Sequence, residues 1–232
     1  MRSLRDFTNA RVDLGRAGDS VPTARLLEFR LAHARARDAV HLALDSRSLV
    51  HEFAALGWDS LILASQARTR EEYLLRPDLG RLLSKASRDQ LAASALQIPL
   101  LFCVADGLSA AAVHRHAAKL LTELRPASPI LLIEQARVAI GDCAGEMVKA
   151  EVCVLLIGER PGLSSPDSLG VYVTYGPRSG RTDAERNCIS NIHDRGLSYE
   201  AAAQRISYLV CEARKLKLTG VDLKERAGLV AG

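Results

Sequence analysis

The chain has 232 residues, 48% of them hydrophobic and 25% charged, enough to bury a large core without disulfides or a structural metal. That balance excludes a disordered, collagen-like or coiled-coil chain, and runs such as Val152–Ile157 are too short to span a bilayer. The net charge of +4 intersperses 31 basic with 27 acidic residues, without the basic stripe of a nucleic-acid binder.

The N-terminus, Met1-Arg2-Ser3-Leu4-Arg5-Asp6, is followed by no apolar stretch, so no secretory signal is expected. Cys103, Cys143, Cys153, Cys188 and Cys211 are odd in number and form no CxxC pair. Reduced thiols in a cytosol-like compartment are the simplest reading.

Residues 1–57 read as an N-terminal helical segment and 58–232 as an α/β domain. Asp19-Ser20-Val21-Pro22 predicts a helix start, and Leu27, Leu31 and Ala34 follow at helical spacing among arginines from Arg25 to Arg37. That basic face is either solvated or a docking surface. Trp58–Ala64 suggests a strand, Tyr73–Gly80 a turn and Arg81–Leu96 a helix. Leu100–Ala105, Pro129–Ile133 and Val152–Ile157 are apolar runs without alternation, as expected of parallel strands covered on both faces. Between them, Ser109–Leu124 has a helical apolar face, and Asp142 is positioned to cap a short helix ending at Val148. Val171–Tyr175 suggests a further strand. Ser198 starts a last helix with Ile206, Leu209, Val210, Ala213 and Leu216 inward and Gly220 as its stop. The pattern predicts an open, doubly wound parallel sheet, with ligands beyond the carboxyl ends of its strands.

The loops there carry the candidate chemistry. Asp106-Gly107-Leu108-Ser109 reads first as helix capping. No GxGxxG or GxxxxGK[ST] occurs, which weakens a dinucleotide or P-loop assignment. In Gly158-Glu159-Arg160-Pro161-Gly162, Glu159 stands where a ligand would bind; an internal Glu–Arg pair is the plain alternative. Arg186-Asn187-Cys188-Ile189-Ser190-Asn191-Ile192 reads as a polar loop, with Asn187, Ser190 and Asn191 as hydrogen-bonding walls. Cys188 is there either a contact residue or a nucleophile needing His193 as base. His33, His41, His51, His114 and His116 read as structural or exposed.

Five segments in this order, Gly15-Arg16-Ala17-Gly18, Arg76-Pro77-Asp78-Leu79-Gly80-Arg81, Asp106-Gly107-Leu108-Ser109, Gly158-Glu159-Arg160-Pro161-Gly162 and Arg186–Ile192, make the chain similar to the small (light) subunit of ethanolamine ammonia-lyase. The resemblance covers nearly the whole chain. It implies a Rossmann-like subunit that helps bind adenosylcobalamin, with Val138, Glu159 and Cys188 as cofactor contacts and no catalytic residue of its own. It further implies a TIM-barrel large subunit that carries the substrate site, heterodimers assembling into a larger oligomer, and radical deamination of ethanolamine or related vicinal amino alcohols. The expected location is cytoplasmic, with a bacterial microcompartment as the alternative. The chain lacks the DxHxxG motif by which other cobalamin proteins replace the cofactor's own base with histidine, so a base-on cofactor is expected. Two competing readings are a stand-alone enzyme using Cys188 or Glu159 on a nucleotide or small substrate, and a scaffold docking through the Arg25–Arg37 face.

Overall fold

The apolar runs of the sequence become the centre of one six-stranded sheet. The structure is a computed structural model that describes residues 4, 7–8 and 11–224. The segment bearing on a secretory signal and the last residues of the chain therefore lie largely outside the described residues.

Two helices, α1 (Thr23–His41) and α2 (Ser46–Ala55), precede β1 (Ser60–Ala64). Then follow α3 (Arg70–Leu75), α4 (Lys85–Ala93), β2 (Leu100–Ala105), α5 (Ala110–Leu124), β3 (Ile130–Glu134), α6 (Ile140–Met147), β4 (Val152–Gly158), β5 (Leu169–Tyr175), β6 (Asn187–Ile192) and α7 (Tyr199–Leu216). The strand order is β1-β3-β2-β4-β5-β6. Among the described residues, no helix is long and apolar enough to cross a membrane.

The first four strands in that order are parallel. β5 and β6 are antiparallel to their neighbours. The sheet is thus mixed, which corrects the expectation of a wholly parallel one. The reason is the connections: parallel neighbours need a long crossover, usually a helix. Residues 159–168 between β4 and β5 contain no helix, and β5 and β6 are joined through only a short 3-10 turn, Asp183–Glu185.

Alternate residues of each strand feed two cores. Val152, Val154 and Leu156 pack with Val113, Leu120 and Leu121 of α5 and Ile206 and Leu209 of α7. Cys153, Leu155 and Ile157 pack with Ile140 and Ala144 of α6 and Leu91 of α4. α6 spends its bulk on β4, while Tyr172 of β5 is only partly buried on this side and Cys188 of β6 is exposed. This exposed patch at the antiparallel end of the sheet sets up the site.

Several local expectations change. Arg186–Ile192 is mostly an edge strand rather than a loop. Asp142 lies inside the first turn of α6, with Ala139 at the cap position, and its buried carboxylate pairs with Arg186. Burial raises the Asp142 pKa while Arg186 pulls it down. Leu216 is exposed, and α7 ends at Lys217 in the left-handed conformation, three residues before Gly220. Ser198 does cap α7 by accepting from the Ala201 amide. On α1, Leu27 (58% exposed), Phe29 and Leu31 face outward, and only Ala39 of the helix is buried.

A candidate ligand face at the antiparallel end of the sheet

Strand parity places Glu159. Cys153, Leu155 and Ile157 point to the α6 side, and Glu159 continues that alternation just beyond the end of β4. Its carboxylate accepts hydrogen bonds from the Ser168 hydroxyl (2.6 Å), the Ser190 hydroxyl and the Asn191 amide (3.3 Å). There is no ion pair to Arg160 among the described residues; three donors from β5's entry and from β6 take its place. A side chain at Gly170 would bring a Cβ to 2.9 Å from Glu159 Oε1, so this spot must stay bare for the carboxylate to reach β6.

Cys188 sits directly opposite Tyr172 in the β5–β6 register. The thiol and the tyrosine hydroxyl are cross-strand neighbours, and both groups feel the Glu159 charge. Burial, then Glu159, pushes the thiol pKa up against the pull of Tyr172, and burial raises the Tyr172 hydroxyl as well. A nucleophilic cysteine needs the opposite shift. His193 does not serve as its base: the ring contacts Asn191 Oδ1 (2.9 Å) through Nε2 and the Arg195 amide (3.3 Å) through Nδ1. We expect iodoacetamide to modify Cys188 more slowly than a free thiol at pH 7.5, with the rate still climbing above pH 9. Peptide mapping separates it from exposed Cys211, and a fast reaction at neutral pH would contradict the environment described.

Val138 lies in the loop between β3 and α6. It lines a cavity of about 570 Å³ together with Tyr172, Arg81, Arg137, Arg181 and Arg186. Arg186 is held by Asp142, Asp183 (2.8 Å) and the Arg181 carbonyl (3.0 Å). The buried Nε atoms of Arg137 and Arg186 have no hydrogen-bond partner. Tyr172 therefore joins the surface that holds Val138 to the one that holds Cys188 and Glu159, and all three residues lie toward the same side of the sheet.

Of the other sequence candidates, Ser190 and the Asn191 amide do border the face. Asn187 does not: its amide is spent on Gly220 and Leu223 of the C-terminal turn. Tyr172 was missed, although its alternation with Val171 and Val173 marks it as facing away from their core. Arg137 and Arg186 had no local signal, because their roles depend on segments far apart in the chain.

A family model described as "Ethanolamine ammonia-lyase light chain (EutC)" matches residues 1–224. The chain belongs to the ethanolamine ammonia-lyase small-subunit family. It is similar to the ethanolamine ammonia-lyase small subunit of Pseudomonas syringae pv. tomato, with 51% identity covering 97% of this chain and 83% of that protein. It resembles the small subunit of Xanthomonas campestris pv. campestris at 52% identity, with 97% and 87% coverage. Membership of this family makes the chain a subunit of a carbon–nitrogen lyase, as its five ordered segments led us to expect. α7 covers one face of β5 and β6, and the face that carries Tyr172 and Cys188 is left open by the helices.

Proposed function

We propose that this chain is the cofactor-embracing small subunit of an adenosylcobalamin-dependent lyase that converts ethanolamine to acetaldehyde and ammonia. The observation carrying this reading is the convergence of Val138, Tyr172, Cys188 and Glu159 on one face of the sheet that helices leave open. An apolar side chain, a carboxylate acceptor and neighbouring hydroxyls suit a broad corrin fringed with amides. The arginines lining the adjoining cavity suit the phosphate of its nucleotide tail.

Val138 and Cys188 would supply apolar contact, and Glu159 would accept from an amide or hydroxyl of the cofactor. When bound, adenosylcobalamin supplies the radical that starts the rearrangement. The residues of this chain position and shield it, and the large subunit supplies the substrate pocket. The cofactor stays base-on, because the chain has no DxHxxG histidine. The outward apolar residues of α1 and the open β5–β6 edge are the surfaces available to the large subunit.

Co-expression with the large subunit tests the reading. Acetaldehyde release should require both chains and adenosylcobalamin; turnover by this chain alone would overturn it. Glu159→Ala should weaken cofactor retention roughly tenfold, the worth of a hydrogen bond to a charged group. Unchanged retention in both Glu159→Ala and Cys188→Ala would favour a pure scaffold. Labelling the protein's histidines with ¹⁵N should leave the nitrogen splitting of the bound cofactor's paramagnetic resonance spectrum unaltered; a change would show histidine on cobalt.

A further inference from the structure

Between α1 and the loops that follow β2, β3 and β4 lies a further cavity, of about 440 Å³. Three guanidinium groups line it: Arg37 from α1, Arg137 from the loop after β3 and Arg160 from the loop after β4. None of its lining residues carries a carboxylate. Arg37 pairs with Asp38, at 3.8 Å and between exposed side chains. Arg137 and Arg160 have no acidic partner among the described residues. Pro161 restricts the Arg160 backbone to an extended form. Arg137 is held by packing instead of by an anion. Its guanidinium carbon lies 4.4 Å from the Tyr73 ring centroid, its amide donates to the Gly80 carbonyl (2.7 Å), and its buried Nε has no hydrogen-bond partner. Arg70, on the same tyrosine ring at 4.7 Å, is by contrast neutralised by Asp106.

Like charges gathered without a counter-charge repel one another, a cost that an arriving anion removes. Arginine is also the cation best suited to ion pairs at an interface. The remaining walls show what kind of anion fits. Val40, Leu74, Leu108 and Leu163 make them apolar. The α1 wall also runs on past the cavity. His33 and Ala36 line it, and the same helical stripe continues as Phe29 and Leu26, 42% and 40% exposed. Phe29 stacks on His33 at 6.4 Å and carries Arg11 over its ring at 5.9 Å. A small anion would fill the cavity and leave this stripe bare. A chain segment with an acidic side chain between apolar ones would cover both.

We propose that this cavity is a docking socket for the large subunit. An aspartate or glutamate of that chain enters it and pairs with Arg160 and Arg137, while apolar residues beside it cover Phe29 and Leu26. The inference rests on the reading of this chain as the small subunit of a hetero-oligomer. Arg137 lines both this cavity and the one that holds Val138, so a subunit seated here closes beside the proposed cofactor face.

The test measures the affinity of the full chain for the purified large subunit without cofactor. Arg160→Ala should raise Kd roughly tenfold, as for loss of a hydrogen-bonded charge. Arg160→Glu should raise it roughly a hundredfold or more, because it sets like charges against each other. Arg160 is exposed and unpaired, so both variants keep the fold. Going from low to physiological salt should weaken the wild-type complex more than that of Arg160→Ala. Arg88→Ala, on α4, should change nothing; an equal loss there would show a general charge effect and overturn the proposal. Unchanged affinity in both Arg160 variants would overturn the socket and leave the small-subunit reading standing. A wild-type chain that does not bind the large subunit at all would overturn both. Self-association of this chain alone, abolished by Arg160→Glu, would assign the socket to a second copy and overturn the proposal. Saturable binding of glutarate to this chain, with large-subunit affinity unchanged in the variants, would assign it to a free dianion and overturn it too.

Discussion

Asp106→Ala should lower the unfolding free energy by about 3–5 kcal/mol, because it strips the partner from a nearly buried guanidinium. Asp106 is fully buried at the end of β2. Its carboxylate accepts from the Ala136 amide (2.9 Å), the Gln135 amide (3.1 Å) and Arg70 Nη1 (3.0 Å). Arg70 in turn donates to the carbonyls of Val40 (2.7 Å) and Gly107 (2.9 Å). One carboxylate thereby ties the end of α1, the start of α3, the turn after β2 and the loop that carries Val138. Burial pushes its pKa up to about 6, against the Ala136 amide and Arg70, so it is still ionised at pH 7. Urea unfolding at pH 7 measures the loss, and a change below about 1 kcal/mol would show that the pair contributes little. Asp106→Asn should cost less, since it keeps one acceptor for the two amides but loses the charge.

Gly158→Ala should cost about 3 kcal/mol or more, at the upper end for overpacking, because the obstruction is backbone. A Cβ there would overlap the carbonyl oxygens of Ser109 and Asp106. The neighbouring turn cannot retreat: the Leu108 amide donates to the Gly158 carbonyl at 3.0 Å, and Gly107 holds a φ of +53° while packed against that same carbonyl. Relief must come from the end of β4, which moves Glu159 away from Ser168 and Ser190. Thermal unfolding should show the destabilisation. With the large subunit, the cofactor concentration for half-maximal activity should rise by roughly tenfold or more, as for loss of the Glu159 carboxylate. A variant of normal stability and normal cofactor requirement would show that Glu159 does not depend on this packing.

These two positions show how much was legible before the fold was known. Asp106 and Gly158 both stood out as ends of apolar runs, where an α/β sheet places its ligands. The turn read locally as a helix cap by Asp106 or Ser109; Ser109 does cap α5, while the aspartate reaches the next loop. Asp142 misled in the same way: a carboxylate near a helix start looks like a cap unless a buried arginine from a distant strand claims it.

Local patterns were enough for the central parallel strands, for α5 and α7, and for the position of Glu159 just beyond β4, because unbroken apolar runs and 3.6-residue periodicity report burial directly. Strand direction at β5 and β6, the edge strand within Arg186–Ile192, and the joining of Val138 to Cys188 through Tyr172 were settled only by tertiary structure. Each of these depends on which distant segments become neighbours. A residue's own sequence surroundings state what it can offer, whereas burial and partners supplied by the rest of the chain decide which offer is taken up.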